Sequence, residues 1–63
     1  MNKKRILWQV DVHRENSYDS YRVIAPDDRV ARARAIKADD KFADNEAGEI
    51  VYCEIEIVSH IDV

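Results

Sequence analysis

Ile6, Trp8, Val10 and Val12 fall on one face of an extended chain, and Arg5, Leu7, Gln9, Asp11 and His13 fall on the other. A period of two, carried by β-branched and aromatic residues, predicts a half-buried strand over 4–13. The polar run RENSYDS that follows reads as a hairpin loop, and SYRVIA as a second strand, with Tyr21, Val23 and Ala25 alternating with Arg22 and Ile24. The period then changes. Ala31, Ala35, Ala38 and Phe42 are spaced four, three and four, which predicts one narrow helical stripe with Phe42 plugging its far end. Pro26 cannot sit inside that helix, so Asp27 is its expected N-cap, and Asp28 suits the positive end of the helix dipole. Beyond the single glycine, Gly48, alternation resumes from about Glu49. Val51, Cys53, Ile55 and Ile57 share one face there, and Tyr52, Glu54, Glu56 and Val58 the other.

The order strand, strand, helix, strand predicts an α+β fold: one ββαβ domain spanning 1–63. A hairpin followed by a right-handed crossover helix puts the last strand parallel to the second and antiparallel to the first. The simplest sheet then has the order 2-1-3, with the helix packed on the face holding Trp8, Val10, Val23, Cys53 and Ile55.

Size sharpens the picture. A chain of 63 residues lies near the lower limit for independent folding and commonly needs a disulfide, a metal or a partner. One cysteine excludes an internal disulfide. Phased with Val51, Ile55 and Ile57, Cys53 is expected to be buried under the helix as a small hydrophobe rather than to react. Together with His13 and His60, both expected to be solvated, it does not supply the ligand spacing of a metal site. No cofactor is expected. Asp39 and Asp40, beside Lys37 and Lys41, read as a solvated helix face. Glu54 and Glu56 point outward with no cleft to shift a pKa, and a single glycine leaves no phosphate loop, so an enzyme is not expected. There is no apolar run long enough for a membrane span, and the basic opening is not followed by a signal-type core, which suggests the cytoplasm.

Two surfaces exceed what folding requires. On the sheet face away from the helix, Leu7, Ile24, Tyr52, Glu54, Glu56 and Val58 form a mixed aromatic, aliphatic and acidic set suited to a protein partner. On the helix, Val30, Ala33 and Ile36 form a second stripe, an alternative interface. The expected function is a non-enzymatic protein-interaction module, with a homodimer as the simplest self-stabilising arrangement. The alternative is a small nucleic-acid-binding domain using Arg29, Arg32 and Lys37 on the basic helix, with Lys3, Lys4 and Arg5 as further basic residues at the start of the sequence, or using the open sheet face. The net charge of −3 argues against general affinity for polyanions.

The stretch YRVIAPDDRVARARAIKADDKF, a strand ending in Val-x-Ala followed by a capping residue and an alanine-marked helix, then a Glu-rich strand, resembles the DpnD/PcfM-like group of small phage and plasmid proteins. The resemblance implies an accessory protein of a phage or mobile element, a class that includes inhibitors of host proteins. It transfers no functional residue.

Overall fold

A computed structural model describes residues 5–61; Lys3 and Lys4 lie outside them. Four elements follow in chain order: β1 (Arg5–Arg14), β2 (Tyr18–Ala25), α1 (Asp28–Phe42) and β3 (Ile50–Ile61). The strands form one sheet of order β2-β1-β3, with β1 antiparallel to both neighbours. This is the α+β architecture that the periodicities predict.

The hairpin is tighter than expected. Tyr18, Asp19 and Ser20 belong to β2 rather than to the loop, since His13 pairs with Tyr18 and Asp11 with Ser20. The turn closes with the Arg14 amide donating to the Ser17 carbonyl at 2.9 Å. The start of α1 is as expected: Asp27 is extended, and its side chain accepts from the Val30 amide at 2.9 Å. Gly48, at φ +82°, makes the turn into β3. A Cβ there would lie 2.8 Å from Oε1 of Glu15, so both the backbone angle and the space require glycine.

Ile6, Trp8, Val10, Val12, Ala25, Ala31 and Ala35 form the core, with Tyr21, Val23, Val30, Ile50, Cys53 and Ile55 packed against it. The Trp8 indole donates to the Ala25 carbonyl at 3.0 Å, so its buried N–H is satisfied. The alanines let α1 approach closely, but it lies over β1 and β2 and barely touches β3. That offset corrects the expectation for Cys53, which is half-buried rather than sealed under the helix.

The helical stripe also turns differently. It runs Ala31, Ala35, Asp39 in steps of four, and Phe42, expected to plug the end, is 78% exposed. Asp39, expected to be solvated, is only 1% exposed. The reason is Arg14, the last residue of β1 and in phase with the buried Val10 and Val12. Its Nε donates to Asp39 Oδ2 at 2.5 Å, its Nη2 to Asp40 Oδ1 at 2.7 Å and its Nη1 to the Gly48 carbonyl at 2.9 Å. Tyr21 Oη donates to the other Asp39 oxygen at 2.6 Å. One guanidinium therefore ties the end of β1 to the last turn of α1 and to the turn before β3, where an inward cation demands an acidic partner. The hydrogen bonds from Arg14 to Asp39 and then Asp40 raise the arginine's pKa further. Burial, and then the bond to Asp39, push the Tyr21 hydroxyl up to about 12.

Two irregularities in β3 matter for its surface. The register with β1 shifts between Leu7 and Trp8 and again between His13 and Arg14, leaving Val58 and Val51 as the extra residues of β-bulges. Val51 therefore leaves the inward phase expected of it and is 62% exposed, while Ile50, opposite Arg14, packs on the core instead.

Candidate protein-binding faces

The sheet face opposite α1 has no covering element among the described residues. Its side chains lie in rows across the three strands. Tyr18, His13 and Tyr52 form one row, Ser20, Asp11 and Glu54 the next, then Arg22, Gln9 and Glu56, then Ile24, Leu7 and Ser59. The register thus gathers Leu7, Ile24, Tyr52, Glu54 and Glu56 on one surface, as expected. Val58 lies in the bulge beside Ser59 and is also exposed.

The rows differ in chemistry. In the first, the His13 ring stacks on Tyr52, with centroids 4.2 Å apart and planes 10° from parallel, and lies 4.6 Å from the Tyr18 ring on its other side. Its Nε2 is 3.0 Å from Glu54 Oε1. His13 was expected to be solvated but is half-buried in this cross-strand stack; His60 is exposed. In the second row Asp11 Oδ1 accepts from Ser20 Oγ at 2.6 Å and from Gln9 Nε2 at 3.3 Å. In the third, Arg22 and Glu56 are exposed on opposite edges of the sheet, and neither forms an ion pair among the described residues. The fourth is mostly aliphatic.

A second surface was not anticipated. Because α1 is offset toward β2, the helix-side face of β3 is only partly covered: Cys53 and Ile55 are half-buried, and Ile57 is 48% exposed. These residues form an apolar shelf along the outer edge of the sheet, with the bulged Val51 exposed at its end. The signal for it was present in the sequence, as four apolar residues at a period of two, but the helix position that leaves them uncovered was not.

The second helical stripe disperses. Val30 packs against the core and Ile36 is half-buried, which leaves Ala33 as its exposed member. Ala33 and Val30 line a shallow depression with Asp27, Arg29 and Arg34. Arg29, Arg32 and Lys37 are all exposed on α1, whereas Arg34 donates to the Ile24 carbonyl and ties the helix to β2. Among the described residues there is no cluster of three His, Cys, Asp or Glu able to hold a metal ion, and no helix long and apolar enough to cross a membrane.

The class these features define is a small ββαβ domain with an open mixed sheet face and an uncovered apolar edge strand. Comparison with protein-family models, curated proteins and solved structures finds no match.

Proposed function

We propose that this chain is a non-enzymatic protein-interaction module that captures a foreign protein along β3. One observation carries this reading. Of the seven large hydrophobic residues that stand exposed among the described residues, four are on β3: Val51 and Ile57, which belong to the shelf edge, and Tyr52 and Val58, which belong with the open face. Among the described residues the strand pairs only with β1, so its outer edge has unpaired backbone groups. Natural edge strands are commonly protected by Lys, Pro, other charges or bulges; β3 has no Lys or Pro, and its bulges and outward Glu54 and Glu56 leave the stretch from Cys53 to Ile57 regular and apolar on its helix side. An apolar edge of this kind suits a partner that adds a strand and buries Val51 and Ile57. The likeness of YRVIAPDDRVARARAIKADDKF to the DpnD/PcfM-like outline supports a narrower reading: a cytoplasmic accessory protein of a phage or mobile element that inhibits a host protein.

A second reading, nucleic-acid binding through α1, has one observation in its favour. Asp39 is buried and Asp40 is paired with Arg14, so these two acids of α1 offset the exposed Arg29, Arg32 and Lys37 less than free surface carboxylates would.

Affinity capture from bacterial lysate with matched variants separates the two. The interaction module predicts a specific protein, retained in high salt, lost with Val51→Glu or Ile57→Glu and kept by a triple Arg29→Glu, Arg32→Glu, Lys37→Glu variant. Nucleic-acid capture that falls steeply with salt and is lost only with the triple variant would replace the first reading by the second.

A further inference from the structure

We infer that the open sheet face pairs with a second copy of this chain about a two-fold axis parallel to β1. The surface is distinct from the β3 shelf, and the pairing does not depend on a foreign partner. The row Arg22, Gln9, Glu56 crosses the middle of the face. The two charges are opposite in sign and exposed, and the register places them on strands that flank β1. Two strand spacings, roughly 9–10 Å, separate their backbones, and they do not pair with each other.

A two-fold axis lying above β1 and parallel to it lays each row over its own reverse. β2 of one copy then faces β3 of the other. Arg22 meets Glu56 of the second copy, and Glu56 meets its Arg22, so each contact is made twice. In the same arrangement Tyr18 faces Tyr52, Ser20 faces Glu54, and Leu7 faces its own copy beside Ile24. Sheets packed face to face stand about 10 Å apart and within about 30° of parallel, a gap that Arg and Glu side chains span.

The alternatives are less favourable. A two-fold axis across the strands, centred between Gln9 and Asp11, sets β3 against β3 and brings Glu54 over Glu56 of the other copy. Edge-to-edge pairing of β3 about Ile55 opposes the same two acids. Like charges directly opposed are destabilising in both. The parallel axis has its cost in the second row, where Asp11 faces its own copy with Glu54 of each copy beside it; Asp11 Oδ1 is already bonded to Ser20 and Gln9, and Glu54 Oε1 lies 3.0 Å from His13 Nε2 of its own chain.

The molecule is 43 Å long and 14 to 17 Å in its other dimensions. A face of that outline could bury at most about 600–700 Å² per copy, below the roughly 800 Å² of a standard stable interface, which suits micromolar rather than nanomolar pairing.

Sedimentation equilibrium of the full chain across a concentration series tests this. The expected result is a monomer–dimer equilibrium in the micromolar range. Glu56→Arg and Arg22→Glu should each raise the dissociation constant about tenfold or more, because each converts two attractive contacts into two repulsive ones. The double variant should return to within about threefold of the parent, since its swapped pair is again complementary. Asp11→Asn should tighten the dimer. Both swap positions are exposed and form no ion pair among the described residues, and circular dichroism checks that the variants fold. A monomer throughout the series overturns the inference. So does a dimer indifferent to either single swap, or one that the double swap fails to restore. A monomer that still captures a foreign protein through β3 would leave the module reading standing; a dimer that captures none would leave the pairing standing.

Discussion

Asp39→Ala should be the most damaging conservative truncation on the helix. The carboxylate is 1% exposed and accepts from Tyr21 at 2.6 Å and from Arg14 at 2.5 Å. A hydrogen bond to a charged group contributes about 1.5–3 kcal/mol, and its loss also strands the donors left behind. The two bonds share one carboxylate, so their contributions do not add fully, and a loss of about 3 kcal/mol is expected. A domain of this length has roughly 3–9 kcal/mol in total. The variant should therefore keep only about 0–6 kcal/mol, which puts its urea midpoint well below that of the parent and, at the lower end, leaves it half unfolded without denaturant. Urea titration followed by fluorescence of Trp8, the only tryptophan and a buried one, measures this directly. Tyr21→Phe, which removes one donor and keeps the carboxylate, should cost about 1–1.5 kcal/mol. Asp40→Ala, which removes an exposed carboxylate, should cost less than about 1 kcal/mol. An Asp39→Ala variant as stable as Asp40→Ala would refute the buried network.

The raised Tyr21 pKa makes a pH prediction. The fold favours the protonated phenol, so this contribution is complete below the ordinary value of 10 and is lost as pH rises through about 12. Stability should fall across that window, and Tyr21→Phe should flatten the fall, as followed by urea midpoints at a series of alkaline pH values. Gly48→Ala should cost about 1–2 kcal/mol from the left-handed backbone alone, and more from the approach of Glu15; thermal melting measures it, and a neutral substitution would show that the turn can take another form. Half-burial of Cys53 predicts thiol labelling of the native protein at a measurable rate, whereas Val10→Cys in a Cys53→Ala background should label only after denaturation. Equal protection of the two would mean that α1 covers β3 after all.

The elements and their pairing were legible because each was written in a local period. Trp8, Val10 and Val12 alternate, Pro26 and Asp27 mark the helix start, and the crossover rule left one simple sheet order. The misjudged features are those decided by a partner far along the chain. The helical spacing alone suited Phe42 and Asp39 comparably as the last inward position, and Arg14, 25 residues earlier than Asp39, decided between them. That could have been seen: Arg14 falls in the inward phase of β1, and an inward arginine requires an inward acid. The bulges at Val51 and Val58 had no such signal, since an unbroken apolar alternation conceals where one residue is skipped. The uncovered shelf on β3 follows from where α1 settles, which depends on how closely its alanines approach β1 and β2. The open face was legible as a set of residues, but not as rows. The stack of His13 between Tyr18 and Tyr52 and the opposition of Arg22 to Glu56 exist only once the register is fixed.

The central claim is that this domain binds a protein by burying the apolar edge and shelf of β3. Titration calorimetry of the captured partner at several temperatures tests it most directly, because burial of apolar surface leaves a negative heat-capacity change. The account predicts a clearly negative value, made smaller by Ile57→Ser and Val51→Ser, with affinity that changes little with salt. A heat-capacity change near zero, unmoved by those substitutions and accompanied by a steep salt dependence, would contradict it.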